Sequence, residues 1–376
     1  MPREPVSESR KGGLDPATRV QRSGLSARIS TGVVSGWLKS FSRVPGVFSA
    51  AGAGVLMPRA GGSMSDWFSA KKNRRHETVI RTGLFVCAAL SVLTTGAIVY
   101  VLLSNAVYAP GDKTAFFERV TVTEFLTSTQ WKPVEGDRGR FGIWPLLSGT
   151  MMVALISSLV SIPAGLGAAI YMTEYAGPRE RQFLKPILEL LAGIPSVVFG
   201  FFALKFVTPW LLKPVLGLLN LDVSIFNSLS AGIVVGVMVT PLIASLSEDV
   251  IRSVPRSLRE AAHALGSTKF DVSMKVVVPA ALSGILASFL LAFSRAVGET
   301  MAVAIAAGGN PVMAMNPLKG SQTMTGFMVH ASTGDSAADS ISRMSMYAVG
   351  ITLFLLTLLI NLISGWILRR YREEYQ

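Results

Sequence analysis

EAAHALGSTKFDVSMKVVVP, residues 260–279, separates two long apolar runs, 225–246 and 279–308. Its pattern predicts a short helix, a turn and a second short helix. Ala261, Ala262, Ala264 and Leu265 give the first helix a small, weakly apolar face, with Arg256, Arg259 and Glu260 beside it. Gly266 ends that helix cheaply, because glycine enters a left-handed cap without a Cβ penalty. Pro279 opens the next apolar run. A compact, small-sided helix pair protruding from a membrane has the shape of something that another protein grips.

The membrane setting comes from composition. Of 376 residues, 50% are hydrophobic and only 15% charged, where soluble domains carry about 25% charged residues. Apolar runs of this length cross bilayers. The formal net charge of +12 sits mainly beside the apolar runs, as orientation signals do. No interleaving of basic and aromatic residues suggests nucleic acid. The single cysteine, Cys87, excludes an intrachain disulfide.

Residues 1–70 are rich in Ser, Gly, Pro and Arg, and their apolar patch, Val44 to Met57, is too interrupted to span. They read as a disordered, basic cytoplasmic tail, without the apolar core of a cleavable leader. Met64-Ser65-Asp66-Trp67 has the form of a conventional start, with a genuine extension as the alternative. Residues 71–376 form the transmembrane domain. Its spans fall at about 82–108, 143–172, 186–212, 225–246, 279–308 and 343–368, with the protruding loop at 247–278. Lys71, Lys72, Arg74, Arg75 and Arg81 before the first span, and Arg369, Arg370 and Arg372 after the last, hold both ends in the cytoplasm. Arg179, Arg181 and Lys185 agree, while the outer segments carry fewer, partly balanced cations, Lys113 and Arg138 among them.

Two segments carry finer expectations. In 109–142, Phe116, Phe117, Val120, Phe125 and Leu126 alternate with Glu118, Arg119 and Glu124, which predicts an amphipathic helix on the lipid surface. In the third span, Gly193-Ile194-Pro195 must break the helix. Broken backbone at membrane depth is tolerated only against protein or water, so this span faces the bundle interior.

Arg295 and Glu299 lie in the fifth span, four residues apart, and are expected on one helix face. Arg295 falls about 24 Å along a helix starting at Pro279. An arginine at that depth costs roughly 2.5–3.5 kcal/mol on lenient scales, so both groups must face protein or water. A structural ion pair is one reading. An anion site is the other, since guanidinium presents a planar fork to oxyanions. Lys205, two turns beyond the Gly-Ile-Pro break, either joins such a path or snorkels outward. Glu189 reads as a packing or gate residue, His263 as a docking contact. No GxxxxGK[ST] loop, HExxH, Cys–His cluster or GxSxG elbow is found. No cofactor is implied, and energy must come from elsewhere.

The 260–279 stretch resembles the EAA motif of binding-protein-dependent ABC importer permeases: Glu-Ala-Ala, a three-residue gap, Gly, nine residues, then Ile-x-Leu-Pro. Here Val276 and Val278 replace Ile and Leu before Pro279. From about residue 79 onward the chain is similar to the permeases of bacterial phosphate-specific ABC importers, nearest their C-type subunit. The runs that carry this are LLAGIPSVVFGFF at 190–202, SLSEDVIRSVPRSLREAAHALG at 245–266 and FSRAVGETMAVAIAAGGNP at 293–311. The resemblance implies an all-α, six-span permease in the bacterial cytoplasmic membrane. It further implies a companion permease, two ATPase subunits inside and an extracytoplasmic phosphate-binding protein. Glu260, Ala261, Ala262, Gly266 and Pro279 would couple to the ATPase, and Arg295 and Glu299 would line the anion path. Molybdate, tungstate or phosphonate remain alternative cargoes, and a gradient-driven carrier an alternative class.

Overall fold

Among the described residues every long element is helical, as a chain in hydrocarbon requires when each N–H and C=O must find its partner internally. The computed structural model describes residues 74–108, 115–133, 139–334 and 340–370. The tail 1–70, the Met64 start, Lys71, Lys72, Lys113, Arg138 and Arg372 lie outside them. Thr82–Gln376 forms one compact unit, distinct from Met1–Arg81.

Helix α1, Arg74–Val107, is the first crossing. Short helices α2 (Phe116–Arg119) and α3 (Val122–Thr127) follow, then a two-residue antiparallel pair, β1 (Trp131–Lys132) with β2 (Arg140–Phe141). α4, Trp144–Ile170, continues through a π-helical turn to Tyr175. α5 spans Pro178–Gly193; α6, Ser196–Phe202, runs through π-helical 203–212 into α7, Lys213–Gly217. α8 is Ser228–Ser253. The protruding hairpin is α9 (Arg256–Ala264), α10 (Lys269–Val272), a π turn and α11 (Val278–Ala280). α12 (Leu282–Val297), α13 (Met301–Ala306), α14 (Met324–Thr333) and α15 (Ile341–Arg370) complete the chain. Among the described residues five helices can cross a membrane, and a sixth crossing results when Lys269–Ala280 and Leu282–Val297, bent by 73°, count as one.

The core is built on α4 against α8, and small residues make the approach possible. A Cβ on Gly232 would lie 2.6 Å from Ile156 Cβ, one on Gly236 2.8 Å from Val160 Cβ, and one on Gly165 2.7 Å from Ile243 Cβ. In lipid, where apolar burial drives little, such contact is what holds helices together. α8 begins sharply: Asn227 accepts from Ser230 N at 2.7 Å and donates to Thr208 Oγ1 at 3.1 Å. Ser247 and Ser288 hydroxyls, 2.9 Å apart, tie α8 to α12.

The helix boundaries correct three expectations. The third crossing runs Ser196–Gly217, not 186–212. The residue before a proline is pushed out of the α region, so Ile194 is extended at φ −70, ψ 129, and α5 stops at Gly193. α5 is thus a separate amphipathic helix, with no buried residue of its own. α8 runs on to Ser253, so the protruding segment begins at Val254 and Glu248 belongs to a helix. Third, segment 115–141 turns most of its rings onto protein, although Leu126 stays exposed. Phe116, Val120, Phe125, Trp131 and Phe141 are buried with Met324, Phe327, Met344 and Ala348 as a cap over α14 and α15. The Trp131 and Phe327 rings meet edge to face at 4.9 Å.

Candidate functional site

The hairpin is held by its base and bare at its tip. Gly266 takes φ +80. Its N–H bonds His263 O at 2.9 Å and that of Ser267 bonds Ala262 O at 3.3 Å, the paired closure of a Schellman cap. Of α9 only Ala262 is buried. Leu265, 88% exposed, and Phe270 stand clear of the chain, as does Glu260. Pro279 lies in α11, two residues before the bend at Ala281. Thr268 caps α10, and Lys275 Nζ, 2.6 Å from Asp271 Oδ1, holds that carboxyl below the usual range, with the Thr268 hydroxyl assisting.

Arg259 anchors the base. Its Nη1 and Nη2 donate to Val254 O and Ile251 O at 2.7 and 2.8 Å, at the carbonyl end of α8. Its Nε meets Glu174 Oε1, in the turn after α4, at 3.2 Å. A cleft of about 700 Å³ opens beside it, lined by Arg181, Arg252, Arg256, Glu260 and His263 among others.

Arg295 and Glu299 do not form the expected pair. α12 ends at Val297, so four-residue spacing no longer places them on one face. Glu299 instead accepts from Ala302 N at 3.4 Å at the start of α13. No ion pair joins the two among the described residues. Arg295 sits in the last turn of α12, where the carbonyl end of the helix favours a cation. It lines a cavity of about 290 Å³ with Lys185, Glu189, Ser245 and Glu248. Lys205 lies exposed in the π-helical stretch 203–212 and does not line this cavity.

Glu248 is the residue that the sequence reading passed over. It is 1% exposed, and its Oε1 accepts from Arg181 Nε at 2.9 Å and from Nη2 as well. Lys185 Nζ stands 3.7 Å from Oε2. The signal was present: Ala244, Ser247, Glu248 and Ile251 recur at helical spacing on the buried face of α8. Arg181 and Lys185, one turn apart on α5, are its complement, though they read only as orientation signals.

A bundle of helices able to cross a membrane, an open charged cavity at its side and a hairpin anchored at its base with a bare tip define an all-helical membrane protein. The chain belongs to the family of binding-protein-dependent transport system inner membrane components, whose family model matches residues 161–373. It is 32% identical over 302 residues to the "Probable ABC transporter permease protein YqgH" of Bacillus subtilis, covering 79% of this chain and 94% of that one. It is 33% identical to the "Phosphate transport system permease protein PstC" of Xylella fastidiosa over 75% of this chain and 90% of that one. Among solved structures, a bacterial ABC transporter involved in the import of alginate aligns over 79% of this chain and 99% of that one, with a TM-score of 0.54 at 13% identity. That last likeness speaks to the fold.

Proposed function

We propose that the chain is the transmembrane permease subunit of an ATP-driven importer of inorganic phosphate. A companion permease would complete the path, two ATPase subunits would grip the hairpin from the cytoplasm, and an external phosphate-binding protein would deliver the anion. Both chain ends would lie inside. ATP hydrolysis belongs to the partner, and this chain supplies the path. The observation that carries the reading is Arg295, an exposed guanidinium lining an open cavity between α5 and α8, in a chain similar over 75% and 65% of its length to permeases whose names specify phosphate transport. Bare Leu265 and Phe270 at the hairpin tip support the ATPase contact.

The test is ATP-dependent uptake of radiolabelled phosphate by the assembled importer. Arg295→Gln is expected to assemble at normal levels, checked by co-purification, and to lose uptake. Excess unlabelled phosphate should suppress the signal where equal molybdate, tungstate or phosphonate does not. An assembled wild-type complex that takes up no phosphate overturns the reading.

A further inference from the structure

Lys185 stands on a wall common to two cavities. One, of about 290 Å³, holds Arg295, Ser245 and Glu248. The other, of about 400 Å³, follows the first half of α5 past Pro178, Arg181 and Gln182. Glu189, one turn on from Lys185, lines both. Lys185 and Glu189 are the two residues that the linings share.

That ammonium is loosely held. Its Nζ is 3.7 Å from Glu248 Oε2, beyond hydrogen-bond reach, and its side chain is 40% exposed. Glu248 Oε2 is buried without a hydrogen-bond partner, while Oε1 already takes the Arg181 fork. Arg181 thus satisfies the carboxylate on one side, and the other oxygen is a spare counter-charge that Lys185 can leave and regain.

We propose that Lys185 is a second binding cation of the anion path, exchanging its Glu248 contact for a tetrahedral oxyanion handed on from Arg295. When the anion departs, Glu248 takes the ammonium back. The exchange keeps a partly buried charge from standing unpaired, which is the expensive state. A compact ammonium suits a transient station better than a bidentate fork does, and Glu189 shortens the stay by repulsion. This inference rests on the phosphate-import reading and names a further residue of that path.

The experiment measures phosphate uptake against concentration for the reconstituted importer carrying Lys185→Gln, Lys185→Arg, Glu248→Gln or the Lys185→Gln/Glu248→Gln double substitution. Lys185→Gln is expected to transport about tenfold slower or worse, and Lys185→Arg to stay within about threefold of wild type. The double variant should remain as slow as Lys185→Gln. Glu248→Gln should lower KM and kcat together, because the ammonium has lost its return partner. A normal rate in Lys185→Gln, or rescue in the double variant, overturns the proposal and leaves the phosphate reading standing. Should Lys185→Gln fail to assemble, Glu248→Gln decides: a fall in KM supports the exchange, and an unchanged or raised KM overturns it. A wild-type importer that carries no phosphate overturns both.

Discussion

Arg259 Nε and Glu174 Oε1 meet at 3.2 Å, so the base of the hairpin is fastened to the end of α4 while the same guanidinium closes the carbonyl end of α8. One side chain therefore joins the hairpin, the surface proposed to meet the ATPase, to the two helices at the centre of the core. Movement imposed on α9 has a short, polar route into the membrane.

Arg259→Ala is expected to keep its spans inserted but to lower stability by about 3 kcal/mol, as several hydrogen bonds to a charged group are lost. Arg259→Lys should recover little, since a point charge cannot reach three acceptors in one plane. Thermal unfolding in detergent and ATPase co-purification check both. A lysine variant that behaves as wild type would show the fork to be dispensable.

Gly266 tests the turn in isolation. Its φ is +80, yet a Cβ there would meet nothing within 4 Å. Any penalty is therefore one of backbone conformation, about 1–2 kcal/mol for a residue with a Cβ. Gly266→Val should reduce stimulated ATP hydrolysis in the assembled importer with membrane levels unchanged. Gly266→Asn, which tolerates this conformation, should lie between Val and wild type. Equal activity in all three would separate the cap from coupling.

Glu299→Gln is expected to leave the melting temperature unaltered, because no ion pair with Arg295 is lost and an amide oxygen can still accept from Ala302 N. Adding Glu299→Gln to Arg295→Gln should not restore phosphate uptake. Recovery in the double variant would reinstate a direct pair between them.

Gly232→Val should disrupt the α4–α8 contact, where the first added carbon already falls 2.6 Å from Ile156 Cβ. Overpacking of this kind costs about 1–3 kcal/mol, read as a lower midpoint of thermal unfolding. Gly167→Ala, with open space around it, is the control and should be close to neutral. Similar midpoints for the two would mean that the helices can part without loss.

Local chemistry was legible where it was carried by residues close in sequence. The left-handed turn at Gly266, the break at Gly193-Ile194-Pro195 and the apolar crossings all follow from backbone preference and length. The start of the third crossing was not, because Ile187, Leu190 and Leu191 give amphipathic α5 as much apolar character as the beginning of a span. The Arg295–Glu299 spacing misled because the rule of four holds only while the helix continues, and α12 stops between them. Glu248 was hidden by the opposite error: placing it in a loop concealed the face that buries it. Its partners on α5 lie 67 positions away for Arg181, a pairing that no local pattern reveals.

The aromatic cap also sets an order of events during synthesis. Phe116, Phe125, Trp131 and Phe141 leave the ribosome well before Phe327 and Met344, which cover them. Roughly 180 residues separate the end of the cap from Phe327, and at about 5–20 residues per second that is some 10–40 s of translation. For that interval a patch of rings waits without the residues of α14 and α15 that cover it. The final pair of helices therefore acts as a latch that closes the cluster only when the message is nearly read.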